Sequence, residues 1–306
     1  MLKYVLKRLG YILVTLWVIV TCTFFMMKNL PGTPFDAERF SIMTPQQQER
    51  VLEMYGLNDS LPMQYVKYIK NMLKGDLGTS FTYVNQDVSK VITGRLGPSA
   101  LIGIQAVLIG LAIGLILGIL AAWKHNSGID YFTMILAVLG VSVPNFVAAA
   151  LLQYYIGLKW GALPVGFWTG WNCSVLPSIA LSFSATAMVA RFMRTEMLDV
   201  LDQDYIVTAR AKGLSQMKVL MRHAVRNSIL PVVTILGPIV VNLMTGSLAV
   251  ENIFSIPGIG SLFVDCIKAN DYPVIMGITI FYAAFYMLIV LLVDLAYSLI
   301  DPRIRL

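Results

Sequence analysis

Residues 101–123 read LIGIQAVLIGLAIGLILGILAAW, without a single charged side chain. Crossing a hydrocarbon core of about 30 Å takes roughly 20 mostly apolar residues in a helix, and this run meets that length by itself. Uncharged runs of the same kind recur at 10–27, 131–158, 228–250 and 274–293. Residues 160–190 are uncharged too, but they open with Gly161, Pro164, Gly166 and Gly170, so their membrane part is expected at 175–190. The pattern predicts an all-α integral membrane protein with six transmembrane helices. Composition agrees, since 57% of the 306 residues are apolar and 13% charged, with a mean hydropathy of +0.72. A soluble domain carries about 25% charged residues.

The first run follows Lys3, Lys7 and Arg8 and could be taken for a signal peptide. It is longer than a typical h-region of about 7–15 residues and ends in bulky Phe24, Phe25, Met26 and Met27 rather than at a small-residue cleavage site. It reads as a retained helix. Basic residues set the orientation. The N-terminus, the 191–227 loop (Arg191, Arg194, Arg210, Lys212, Lys218, Arg222, Arg226) and the C-terminus (Arg303, Arg305) fall on one side of a six-span chain. Both termini are therefore expected in the cytoplasm. Three regions follow: 1–30 (cytoplasmic N-terminus and first helix), 31–100 (a small folded extracytoplasmic cap), and 101–306 (the transmembrane core with its cytoplasmic loop at 191–227). Within the cap, Thr44-Pro45 starts one short helix, and Ser60 with Pro62 starts another. Gly75 and Gly78 mark a turn, and 86–96 suggests a third short helix.

Several chemistries are missing. No HExxH, GxSxG or P-loop is present, so the chain has no evident catalytic centre and no nucleotide site of its own. The cysteines, Cys22, Cys173 and Cys266, are odd in number and far apart, and His125 and His223 cannot make a His-rich metal centre. A net charge of +6 is too small to suggest nucleic acid. Among the spans only Asp294, near the end of the sixth, approaches an intramembrane ionisable group, and an interfacial carboxylate is its plainer reading.

Polar residues in the fourth and fifth expected spans are the remaining candidates for a path. They include Ser182, Ser184 and Thr186, then Asn242 and Thr245. They either line a conduit or serve as hydrogen-bonding contacts between helices, the commoner role. Gly103, Gly110, Gly114 and Gly118 in the second span are better explained as close helix packing, with Gly110 and Gly114 in GxxxG register.

Residues 191–227 are too long for a simple helix connection of about 2–8 residues. A helix through Thr208-Ala209-Arg210-Ala211-Lys212 is expected to break at Gly213, and after Leu214, Ser215 can cap a second helix over 216–225. Arg and Lys anchored to lipid headgroups would explain the charge. That reading leaves the helix–glycine–helix pattern unexplained, whereas a rigid knob suits docking into a partner's groove.

The stretch Thr208 to Leu214, followed by Arg222-His223-Ala224 and Leu230-Pro231, resembles the coupling loop of binding-protein-dependent ABC transporter permeases. More narrowly it resembles the B-type permease subunit of the oligopeptide/dipeptide (Opp/Dpp) branch. Further matches are the start at 1–8, Pro31-Gly32-Thr33-Pro34, Gly75-Asp76-Leu77-Gly78, Pro257-Gly258-Ile259-Gly260, Asp271-Tyr272-Pro273 and Asp301-Pro302-Arg303-Ile304-Arg305. The general permease pattern EAAxxxG would put its Glu at Val207 and the next Ala at Thr208. Only Ala209 and Gly213 fit, so no role for that carboxylate carries over.

The resemblance implies a permease subunit in the bacterial cell membrane. It would pair with a second, homologous permease subunit to enclose a path for short peptides. Two cytoplasmic ATPase subunits would bind ATP and Mg and receive the knob, at Ala209, Arg210, Ala211, Lys212, Gly213, Leu214, Arg222 and His223. An extracytoplasmic substrate-binding protein would meet the cap and residues 251–273. No cofactor is expected on this chain. Nickel and glutathione importers are built on similar subunits, and an ATP-independent channel would explain the spans but not the knob.

Overall fold

The computed structural model describes residues 2–29, 40, 42–54, 56–83, 86–244 and 248–300, with backbone alone at 2–5, 54, 294 and 296–300. Thr245, the motif at 31–34 and the ending at 301–305 lie outside the described residues, as does the Asp294 side chain.

Helix α1 (Leu2–Lys28) carries Lys3, Lys7 and Arg8 in its first turns and is uncharged from there to Lys28. Most of its bulky residues, among them Leu13, Trp17 and Met26, stay exposed, while Val20 and Phe24 are buried. Thr44 opens α2 (Pro45–Met54) with a reciprocal cap: its N–H donates to Gln47 Oε1 at 2.9 Å and its hydroxyl accepts from Gln47 N–H at 3.4 Å. The next helix, α3 (Leu61–Leu73), buries none of its residues fully. It lays Tyr65, Tyr68, Ile69 and Met72 over the α1 terminus and over Met276.

The short helix expected at 86–96 is instead the beginning of α4 (Val88–Trp123), a continuous helix of 36 residues running through Pro98. Tertiary packing overrides the local Gly and Pro signals there. Val88, Val91 and Ile92 are buried in a cluster with Ile259, Leu262, Val274 and Ile275, and this holds the first turns helical.

The stretch at 131–158 is also not one straight span. It forms α5 (Gly128–Ser142) and α6 (Asn145–Leu152, prolonged as a π-helix over Gln153–Lys159), bent by 100°. Pro144 disfavours helical geometry in the residue before it, and Val143 is extended at φ −81°, ψ 118°. A one-turn 3₁₀ segment (Trp171–Ser174) leads into α7 (Val175–Leu201). The knob comprises α8 (Asp204–Ala211) and α9 (Gln216–Val219). The helix expected over 216–225 does not stop there, because a π-helical turn at Leu220–Val225 carries it into α10 (Arg226–Met244). The chain closes with α11 (Leu248–Ile253), α12 (Ile259–Lys268) and α13 (Tyr272–Ile300).

Five of these stretches are individually long and apolar enough to cross a membrane, and the bent pair makes a sixth when taken as one span. Connectivity supports that count. α5 begins beside the knob end of α7, where Asp130 meets Arg194, while α7 begins at the opposite end. The bent pair, with the loop that follows it, therefore leads from the knob end of the bundle to the opposite end. The start of α1 and the end of α13 then lie at the knob end, and α2 and α3 lie at the other.

The largest shared face joins α4 to α7. A Cβ on Gly110 would meet Ala185 Cβ at 2.7 Å, on Gly114 Val189 Cβ at 2.7 Å, and on Gly118 Ala190 O at 2.6 Å. These backbones touch because nothing stands between them, the small-residue logic of helix association in lipid. Ile102, Ala106, Leu181, Ala185, Val189 and Met193 continue the core down this seam.

Candidate functional site

The knob is built on a small core of its own. Ile206, Ala209 and Val219 are buried together, with Val200, Leu201 and Leu214 packed against them. Gly213 sits between the two helices at φ +78°, a left-handed conformation that L side chains rarely adopt, with open space where a Cβ would project. Arg210, Ala211, Lys212 and Arg222 are exposed, and His223 is half-buried. The same segment exposes three apolar side chains: Val207 at 59%, Met217 at 51% and Met221 at 52%. Asn227 Nδ2 donates to Tyr205 Oη at 3.1 Å and to the His223 carbonyl at 2.9 Å, which fastens the knob to the root of α10. α7 extends to Leu201, so the connection between it and the knob is shorter than the sequence suggested.

Arg194, counted among the basic residues of the 191–227 loop, pairs with Asp130, which is 2% exposed. Its Nε and Nη2 both reach the carboxylate, the latter at 2.8 Å. Asn126 N–H at 3.0 Å and His125 Nδ1 at 3.1 Å complete the ring of partners. A carboxylate this buried is retained only with charged and hydrogen-bonding partners, and the fork geometry of Arg supplies two at once. The cluster ties the start of α5 to α7 just above the knob.

Halfway along the bundle, Ser184 and Asn242 line one cleft of about 250 Å3 together with Asn145, Leu181, Ala185, Met188, Ile239 and Leu243. Ser182 and Thr186 are not brought there. Two positions along a helix are about 200° apart, so both face away from Ser184, into an apolar groove of about 890 Å3 between α4, α5, α6 and α7. The Ser182 hydroxyl donates to the Ile179 carbonyl at 2.8 Å. Asn145 escaped sequence reading because it lay inside an apolar run, and only the Pro144 bend turns it inward. The proline was the available signal.

At the end opposite the knob, two acids of the 251–273 segment are buried. Glu251 is 2% exposed and accepts from Ser99 Oγ at 2.7 Å and from Ser261 N–H at 2.9 Å. Ser99 Oγ in turn accepts from Ile259 N–H at 2.9 Å. The Pro257-Gly258-Ile259-Gly260 turn wraps this carboxylate so closely that a Cβ on Gly258 would collide with it. Asp271, fully buried, accepts from Ser80 Oγ, Thr82 N–H at 3.0 Å, Phe81 N–H at 3.2 Å and Val274 N–H at 3.4 Å. One carboxylate thus joins the loop before α4 to the first turn of α13.

Beside it, burial pushes the Cys266 thiol up to about 12, with Asp271 and Asp265 adding to the shift. A raised pKa keeps the unreactive thiol form as pH rises. With Cys22 and Cys173 replaced by serine, Cys266 should react with a maleimide at pH 9 at least about 100-fold more slowly in the folded chain than in the denatured one. Equal rates would show the site to be open.

The chain matches the family model described as binding-protein-dependent transport system inner membrane component over residues 114–306. Residues 1–96 match the model of the N-terminal part of such membrane components. It is 46% identical to the dipeptide transport system permease protein DppB of Lactococcus lactis subsp. cremoris, over the full length of both chains. It is 43% identical to DppB of Bacillus subtilis, over 100% of this chain and 99% of the relative. The oligopeptide transport system permease protein OppB of Salmonella typhimurium is 39% identical over the full length of both. Among solved structures, an amino acid ABC transporter with histidines superposes with a TM-score of 0.52 at 19% identity, over 71% of this chain and 95% of that one. That likeness supports the fold. A bundle with a helix–glycine–helix knob at one end, matched along both family models, leads to one assignment: the chain belongs to the family of binding-protein-dependent transport system inner membrane components.

Proposed function

We propose that this chain is the permease subunit of an ATP-driven importer of short peptides, forming half of the translocation path beside a second, homologous permease. The knob end faces the cytoplasm, where two ATPase subunits hold ATP and Mg and receive the knob. The opposite end, with α2, α3 and residues 251–273, faces an extracytoplasmic substrate-binding protein. One observation carries the docking assignment: Val207, Met217 and Met221 stand exposed, as do Arg210, Lys212 and Arg222, in a segment with its own buried core. Exposed apolar side chains in a charged segment mark a surface that a protein partner covers. The peptide cargo rests on the printed names of relatives that match over the whole chain.

The test uses the tagged chain co-expressed with its neighbouring transport subunits. Native chain should copurify with a second permease and with ATPases, and should support ATP-dependent peptide uptake. Gly213→Val forces a β-branched residue to φ +78° without any clash at its Cβ, which costs roughly 1–2 kcal/mol locally. Insertion should persist while uptake falls at least about ten-fold. Normal uptake by Gly213→Val would sink the docking assignment, and solute flux from the purified chain without ATP would replace the importer with a channel.

A further inference from the structure

The cleft halfway along the bundle is lined by two carboxamides and a hydroxyl among apolar side chains. Asn145 comes from the first turn of α6, Ser184 from the middle of α7 and Asn242 from the far half of α10. The hydrogen bond from Ser228 Oγ to the Glu196 carbonyl fixes the relative heights of α7 and α10. From that level Ser184 lies about 18 Å and Asn242 about 21 Å along their helices. Both therefore sit inside the hydrocarbon slab rather than at its rim. Asn242 and Met188 are exposed there. A carboxamide has two donors and two acceptor sites, more than a single partner within the chain fills, and acyl chains satisfy none of the rest, so this face of α7 and α10 does not face lipid. The opposite face of α7 lines the apolar groove, where Thr133, Tyr155, Trp160, Ser182 and Thr186 are the hydrogen-bonding side chains among 21 lining residues and no carboxamide is present.

None of the eight residues lining the cleft is ionisable. A carboxamide both donates and accepts, which matches the N–H and C=O that every peptide bond presents whatever its side chains. The thioether of Met188 adapts to varied apolar shapes. We propose that this cleft is where the chain holds its cargo, with Asn145, Ser184 and Asn242 bonding the peptide main chain and no group reading cargo charge. Asn145 is the new member, delivered by the bend at Pro144. The proposal rests on the peptide-import reading above and adds to it the atoms recognised and the indifference to charge.

The test measures ATP-driven uptake of Ala-Ala-Ala, Ala-Glu-Ala and Ala-Lys-Ala by the complete complex in proteoliposomes. Each variant is expressed as a ratio to native chain for the same peptide, so that preferences of the binding protein cancel. Asn145→Asp, and separately Asn242→Asp, should lower uptake of Ala-Glu-Ala by about ten-fold or more relative to Ala-Lys-Ala, because a like charge now meets the cargo in a low-dielectric path. Asn145→Leu should lower all three peptides by a common factor. If both aspartate variants scale the three peptides equally, or leave all three within two-fold of native, the cleft does not hold the cargo. If the native complex moves none of the three with ATP, the peptide-import reading itself fails, a result distinct from the first.

Discussion

Replacing Gly114 with leucine is expected to prevent recovery of a folded chain from detergent-solubilised membranes. A Cβ at that position would lie 2.7 Å from Val189 Cβ and 2.9 Å from the Thr186 carbonyl oxygen. The second contact is with backbone, which cannot rotate away as a side-chain end would. Inserting a few methylenes into a packed core usually costs about 1–3 kcal/mol. Here the four leucine side-chain carbons would have to push apart two helices held together at Gly110 and Gly118 as well, so the upper end or beyond is expected. A matched substitution on the same helix isolates the cause. Gly94 has nothing within 4 Å of an added Cβ, and Gly94→Ala should be neutral or should gain up to about 1 kcal/mol from helix propensity. Size-exclusion recovery after stepwise heating reads both. A Gly114→Leu chain as heat-resistant as Gly94→Ala would mean that α4 and α7 do not meet at this seam.

The second large effect is expected at Asp271. Alanine there strands the Phe81 and Thr82 amides, the Ser80 hydroxyl and the Val274 amide around a fully buried gap. An unsatisfied buried donor costs about 1–3 kcal/mol, and the costs of neighbours do not add simply. A local loss of roughly 3 kcal/mol is expected all the same, since four donors lose their shared acceptor at once. It should show first in the joint between the loop and α13 rather than in the transmembrane seam. Hydrogen exchange in proteoliposomes is the direct readout: amides 79–83 should exchange at least about 100-fold faster in Asp271→Ala, with residues 110–118 unchanged. Asp271→Asn keeps one acceptor oxygen but presents an NH2 to a donor, so it should fall between. Native-like protection at 79–83 in the alanine variant would show that the carboxylate is not what holds the loop.

Both predictions turn on residues that differ in how far sequence exposes their role. The glycines at 110, 114 and 118 are spaced by four in an apolar helix, and that register alone indicates a face that another helix must approach. Gly213 is similar, because a glycine between a helical stretch and a capping serine signals a bend, and the bend is there at φ +78°. Thr44-Pro45 marks a helix start that the structure reproduces with its cap. Asp271 and Glu251 carry no such mark. Each is one acid in a mixed-charge stretch, and the donors that bury it come from as far as 191 residues away for Ser80 and 152 for Ser99. Asp130 is the same case, since its partner Arg194 is 64 residues off.

The polar residues of the membrane stretches show where pattern reading ends. Ser182, Ser184 and Thr186 look equivalent in a list of apolar neighbours, yet the helical period divides them between two faces, and only contact with α10 and α6 decides which face is the cleft. The bend at Pro144 is half legible: a proline predicts an extended residue before it, but neither the 100° angle nor the entry of Asn145 into the cleft follows from it. Likewise, the continuation of α4 back to Val88 depends on a cluster with α12 and α13 that no local signal reveals. Sequence alone determined the class of the protein, the apolar stretches long enough to cross a membrane, the helix–glycine–helix knob and the close-packed glycine seam. Those features depend on apolar length, charge and backbone freedom, which are properties of short segments. Tertiary structure alone decided which acids are buried, which polar side chains share a cleft and where a helix continues past its glycines, because each depends on partners that only folding brings within a few ångströms.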